Sequence, residues 1–396
     1  MRQTLNISFV VLLLSAVSSY AQDSLSASFK EKKIAFVVLP LVASAPANGF
    51  MFGISGTAGW YLGDKTTTTL SDVIAAAIYT TKKQSINFIK SDIFLRDDQW
   101  VLKGDWRIFF STAETFGLGS GPPEVKPIPY EQQVDFNFFR IHETALKRFR
   151  DSRFFAGIGY HLDSHYSIED KFNEPVPDST LQTSNDFYSE TNGFNPTHYL
   201  LSGISLNALY DSRDNPVFPL RGHYALASFR INETFLGSDK NSTMLWLEYR
   251  DYFRLSKTKP RHLIALWTYA NLVTSGAVPY LDLPAVGWDQ YGRSARGYKQ
   301  GQIRGYDLVY GELEWRFPFP VIFHRWPDLL GGVLFANAST ANDPDAGIGL
   351  FEYVDPAVGL GLRVMLSKKS KTNVTLDFAI GKYQSTGFYL DFNEAF

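Results

Sequence analysis

From Asn373 to the final Phe396, apolar and polar side chains alternate in two successive runs. Val374, Leu376, Phe378 and Ile380 share one face, opposed by Asn373, Thr375, Asp377 and Ala379. In the second run Phe388, Leu390, Phe392 and Phe396 are opposed by Tyr389, Asp391, Asn393 and Ala395, with Glu394 the one charge on the apolar side. Successive Cβ atoms of a strand point to opposite faces, so this pattern needs one apolar and one polar environment. A β-barrel in a membrane supplies lipid outside and water inside.

A half-buried soluble sheet would alternate in the same way, so recurrence decides. Val309, Gly311, Leu313, Trp315 and Phe317 oppose Tyr310, Glu312, Glu314 and Arg316, and Val358 to Leu366 alternate likewise against Gly359, Gly361 and Arg363. Leu245, Leu247, Tyr249, Phe253 and Leu255 form a further apolar face, broken by Asp251. A charge at the bilayer midplane costs about 2–4 kcal/mol and less near an interface, which places Asp251 and Glu394 near a rim. The 32 Phe, 21 Tyr and 8 Trp suit the aromatic girdles of such a barrel.

Residues 1–21 carry Arg2, an apolar stretch from Ile7 to Leu14 and Ser19-Tyr20-Ala21, the layout of a secretory signal cleaved after Ala21. No later segment approaches the roughly 20 apolar residues of a membrane helix. Residues 22–33 leave room for a short periplasmic tail, and 34–396 read as the barrel. A net charge of −2 offers no basic face for nucleic acid. The absence of Cys excludes thiol chemistry, disulfides and Cys-ligated metal.

Strand composition broken at turn signals gives about sixteen strands. They fall near 34–44, 49–61, 67–80, 84–96, 99–111, 130–148, 152–162 and 198–210. The others fall near 221–232, 242–255, 261–272, 307–317, 330–338, 356–366, 372–381 and 386–396. With the N-terminus in the periplasm, the long connections 112–129, 163–197, 273–306 and 339–355 lie outside the cell, the asymmetry a bacterial barrel shows, and Pro318 to Asp328 is the exception, a longer inside connection with three prolines. The fold class is therefore an all-β, antiparallel transmembrane β-barrel.

Four stretches resemble the barrel of the bacterial surface antigen superfamily, the BamA/TamA-like assembly and translocation barrels. Asp211-Ser212-Arg213-Asp214-Asn215-Pro216, followed by Phe218-Pro219 and Arg221-Gly222, is similar to the family's periplasmic turn between the eighth and ninth strands. Arg296-Gly297-Tyr298 resembles the tip of the sixth external loop, and Glu314-Trp315-Arg316-Phe317-Pro318 the strand after it. Gly387 to Phe396, with Tyr389 and Phe392, resembles the C-terminal strand signal, from which Glu394 departs. The resemblance implies that the sixth loop folds into the lumen and that Arg296 pairs with Glu314. The family's second acid would stand in Phe335-Ala336-Asn337, but this chain has Asn337, which brings no charge. Arg304-Gly305-Tyr306 repeats the tripeptide eight residues later and is the less favoured tip.

The implied function is non-enzymatic insertion or export of proteins through a lateral seam between residues 34–44 and 386–396, where Pro40 cannot donate to the ladder. The implied partners are the Gram-negative outer-membrane bilayer, unfolded outer-membrane or secreted proteins, and separate periplasmic or lipoprotein subunits replacing POTRA domains. The alternative is a solute channel or surface-binding barrel with 163–197 as its contact. No cofactor, metal or catalytic constellation is read. Gly53-Ile54-Ser55-Gly56 lacks the spacing of a nucleophile elbow. His161 and His165, four residues apart on a strand of roughly 3.3 Å per residue, lie about 13 Å from each other; with Asp163, Glu169 and Asp170 they read as a solvated loop. Asp343, Asp345 and Asp355 could offer oxygens to calcium, but plain loop chemistry accounts for them.

Overall fold

The computed structural model describes residues 34–45, 48–178, 180–215, 218–259, 261–289, 292–319, 329–367, 372–392 and 394–396. The expected signal at 1–21, the tail at 22–33 and Pro216 lie outside them. Sixteen antiparallel strands form one closed barrel in sequence order, with the first beside the last. These are β1 (Ile34–Ala45), β2 (Gly49–Trp60), β3 (Ser71–Thr80), β4 (Ser85–Phe94), β5 (Trp100–Thr115), β6 (Gln132–Arg148), β7 (Phe154–Phe172) and β8 (His198–Asp211). They continue as β9 (Gly222–Asn232), β10 (Ser242–Arg254), β11 (Leu263–Gly276), β12 (Asp307–Pro318), β13 (Leu330–Ala341), β14 (Asp355–Ser367), β15 (Thr372–Gly381) and β16 (Thr386–Phe392). One helix, α1 (Ser184–Asn192), sits in the β7–β8 connection, with Thr183 accepting from Asp186 N as its N-cap.

The alternation sorts as a barrel wall requires. On β12, Leu313 is 50% exposed and Glu314 0%; the apolar side faces outward and the charged side inward. The core therefore lies inside the wall, where buried residues such as Trp267, Tyr269, Tyr298 and Tyr310 cluster.

Two expectations are corrected. The strand read as 152–162 runs on to Phe172, paired with β6 and β8, so His161, Asp163 and His165 belong to the wall and not to a solvated loop. Polar side chains continue a strand wherever its inner face is polar, and that made the strand look finished. The last strand ends at Phe392, not Phe396. Phe396 is 5% exposed and packs among Tyr252 (6.2 Å between ring centroids), Trp267 (5.3 Å) and the Arg316 guanidinium (5.1 Å). Glu394 is buried on the same side and is no rim residue. Arg293, Arg316, Arg363 and the Asn373 amide hold the tail inward, which the alternation of the tail alone does not reveal. Asp251, by contrast, stands near the short-connection end, 3.0 Å from His223 at the start of β9.

Burying a Phe side chain is worth about 3–5 kcal/mol against Ala. Phe396→Ala is expected to lower the urea midpoint of the detergent-solubilised barrel by a corresponding amount, whereas a lipid-facing Phe388→Ala lowers it little. Equal effects of the two would contradict the inward placement of Phe396.

Candidate functional site

The connection from β11 to β12, residues 277–306, brings Arg296 to the buried faces of strands far from it in sequence. Its Nη1 donates to Asp377 Oδ2 on β15 at 2.6 Å, and its Nη2 to Glu312 Oε1 at 2.6 Å and to Glu314 Oε1, both on β12. The guanidinium also lies over the Phe335 ring, 3.6 Å from its centroid. Burial alone would drive off the charge, but these three carboxylates hold the guanidinium well above its ordinary pKa. Sequence reasoning named Glu314; it missed Glu312 and Asp377. Alternation marks both as inward residues, yet nothing local singles them out, because barrel curvature brings β12 and β15 to one point.

Asn337 does not supply a charge. Its Nδ2 donates to the Arg296 carbonyl at 2.9 Å and to Glu312 Oε2 at 3.4 Å, so the position secures the backbone of the loop tip while Asp377 brings the further acid. Gly297 adopts φ +109°, and a Cβ there would lie 2.8 Å from Ala357 Cβ; a side chain would lift the tip off the wall. Gly297 N donates to Tyr389 Oη at 2.9 Å. Tyr298 Oη donates to Pro356 O at 2.7 Å and accepts from Lys382 N at 3.0 Å, and burial pushes this phenol up to about 12. Arg304 goes elsewhere: it is buried and donates to the carbonyls of Tyr280, Leu281 and Leu283.

The same network seizes the chain end. Arg363 Nε donates to Glu394 Oε2 at 2.7 Å and pairs with Asp377; Arg316 binds Glu314 and, through Nη2, the Phe396 oxygen at 3.1 Å. Arg293 of the loop donates to Glu394 O at 2.6 Å and pairs with Asp391 at 2.9 Å. Loop tip and C-terminal residues thus share one set of charges.

At the seam, β1 pairs fully with β2 from Ile34↔Trp60 to Ala45↔Gly49, but among the described residues meets β16 at one registered pair, Ser44↔Leu390. Counting on in antiparallel register puts Phe392 opposite Val42, so Ile34 to Leu41, Pro40 included, run past the end of β16. Gly387 lies where a Cβ would strike its neighbour Tyr389, and Phe392 closes the register against Val374.

The turn motif Asp211 to Gly222 falls between β8 and β9. Arg213 pairs with Asp211 at 2.7 Å and lies over the Tyr224 ring at 4.6 Å. Asp214 accepts from Leu220 N and Arg221 N, and Asn215 from Phe218 N. Gly222 has φ +101°, with Ser212 O 2.4 Å from any Cβ it would carry. The motif is a closed turn whose polar groups satisfy one another.

His142 and His161 belong to a second cluster, built around the buried Asp163. Asp163 accepts from Arg140 (2.5 Å), His142 (2.8 Å) and Arg230 (2.7 Å), and His161 meets Ser205 at 2.7 Å. Asp343 caps the turn at 344–346, Asp345 accepts from Tyr306, and Asp355 accepts from Tyr383 and Gly121 N; the three do not converge. Among the described residues, no three His, Asp or Glu stand together as metal ligands. The residues 163–197 read as an external contact begin inside β7, and their helix packs through Tyr188 on Tyr280 and Tyr306.

A family model described as the Omp85 superfamily domain matches residues 133–394. Among solved structures, the chain is similar to BamA from Haemophilus ducreyi lacking POTRA domains 1-3, at 15% identity and a TM-score of 0.56, over 92% of this chain and 70% of that one. It is similar to CdiB from Acinetobacter baumannii (13%, 0.55) and from Escherichia coli (10%, 0.53), again over 92% of this chain. It spans 60% and 63% of those two chains. At these identities the likeness carries the fold alone. No curated protein matches.

Removing one partner from a buried charge set leaves the others uncompensated, at about 3–5 kcal/mol. Arg296→Ala is therefore expected to release residues 277–306 to limited proteolysis in folded, detergent-solubilised protein. Persistence of the wild-type digestion pattern would show that the loop is held by other contacts.

Proposed function

The chain belongs to the Omp85 superfamily, and from that premise we propose that this outer-membrane barrel inserts or exports other polypeptides through the β1–β16 seam, without enzymatic chemistry. The observation that carries the reading is that, among the described residues, β1 and β16 share one registered pair, with Ile34 to Leu41 extending beyond β16. An exposed edge recruits an incoming strand through main-chain hydrogen bonds. Pro40 lowers the number of donors on that edge and so limits unwanted pairing. In this reading residues 277–306 plug the lumen, with Arg296 as the lock and Asn337 securing its backbone. The Arg293 contacts to Asp391 and Glu394 couple the plug to the last strand, so that displacing one frees the other. Client proteins reach the seam from the periplasm, delivered by separate periplasmic or lipoprotein subunits.

Ser44→Cys with Leu390→Cys places two thiols at registered positions suited to a disulfide. Outer-membrane proteomics of cells carrying only this variant should show selective loss of client proteins, restored by reductant. An unaltered proteome with the seam closed would refute lateral gating. In planar bilayers the wild-type barrel should conduct little and Arg296→Ala markedly more. A large pore unchanged by the substitution would point to a solute channel instead.

A further inference from the structure

The outer face of β8–β12 is not an even apolar band. It contains a trough of about 510 Å³ whose floor is Ala225, Ala227 and Ala270 and whose sides are Tyr210, Leu247 and Tyr249. The register places these residues side by side, Tyr210 with Ala225 and Tyr249, and Ala227 with Leu247 and Ala270. All belong to the face turned away from buried Glu248 and Tyr269.

At its short-connection end the trough meets polar groups. Tyr249 Oη lies 3.2 Å from His223 Nδ1 and donates to Asp251 Oδ2 at 3.3 Å; His223 Nδ1 is 3.0 Å from Asp251 Oδ1. His223 is 52% and Asp251 33% exposed on a wall otherwise apolar. Charged groups on a lipid-facing wall are costly, and both side chains keep accessible surface. Their chemistry is complementary to a phosphoethanolamine headgroup: a carboxylate for the ammonium and, beside it, an imidazole for the phosphate. The geometry fits the rest of such a lipid. From Asp251 through Tyr249 to Leu247, β10 runs about 13 Å at roughly 3.3 Å per residue, which at a strand tilt of about 45° reaches about 9 Å into a hydrocarbon core whose half-thickness is about 15 Å.

We propose that this trough is a binding site for an ethanolamine phospholipid of the periplasmic leaflet, its headgroup at His223 and Asp251 and one acyl chain along Ala225, Ala227 and Ala270. The test is native mass spectrometry of the detergent-purified full chain offered equal amounts of dipalmitoyl phosphatidylethanolamine, phosphatidylcholine and phosphatidylglycerol. Retention of the ethanolamine lipid should exceed either of the others about tenfold. Asp251→Asn should bring the three level, and Ala227→Leu, which fills the floor, should abolish retention. Heat-dependent gel migration identifies folded variants; if Ala227→Leu does not fold, Ala227→Val narrows the same floor. Equal retention of all three lipids by the wild-type protein, or undiminished retention by the folded trough variant, overturns the proposal.

Discussion

One buried set of charges ties together parts of the chain that nothing else would bring into register. Arg296, Arg316 and Arg363 stand among Glu312, Glu314, Asp377 and Glu394. Each ion, taken from water, costs several kcal/mol unless it is fully partnered, so the members are tolerable only together. Loop tip, β12, β14, β15 and the chain end must all be in place for any one of them to be satisfied.

That mutual dependence explains the seam. A last strand continuing through Glu394 and Phe396 would place Glu394 against lipid and leave Arg363 and Arg316 short of partners. Turning inward gives Glu394 two cations and an Asn373 amide and gives Phe396 an aromatic socket at Trp267. The cost falls on β1, whose first two thirds lose a neighbour. The edge left over is the same one through which the proposed strand exchange would run, so stability inside the barrel and openness in its wall have one origin.

The sixteen strands were legible because alternation is a property of single strands and needs no partner to be seen. The turn at Asp211 to Gly222 was legible for the same reason, its hydrogen bonds being local. Arg296 and Glu314 were found through a motif. Glu312 and Asp377 were not, since pairing across β12, β13, β14 and β15 depends on curvature and register that no local pattern encodes. The β7 residues His161, Asp163 and His165 were misread because a wet inner wall and a solvated loop select the same side chains.

By itself the sequence determined the number, order and facing of the strands, because a period of two obliges each strand to separate lipid from water. It also placed most of the connections, because turn residues act locally; the one read from residue 163 begins only after Phe172. Only the tertiary structure decided where charge meets charge: that Asp377 rather than residue 337 brings the further acid to the Arg296 guanidinium, that Glu394 and Phe396 turn inside the wall, and that β1 and β16 share one registered pair among the described residues. Those outcomes follow from desolvation, which penalises every unpaired ion wherever it stands along the chain and is relieved only by groups that closure of the barrel brings near.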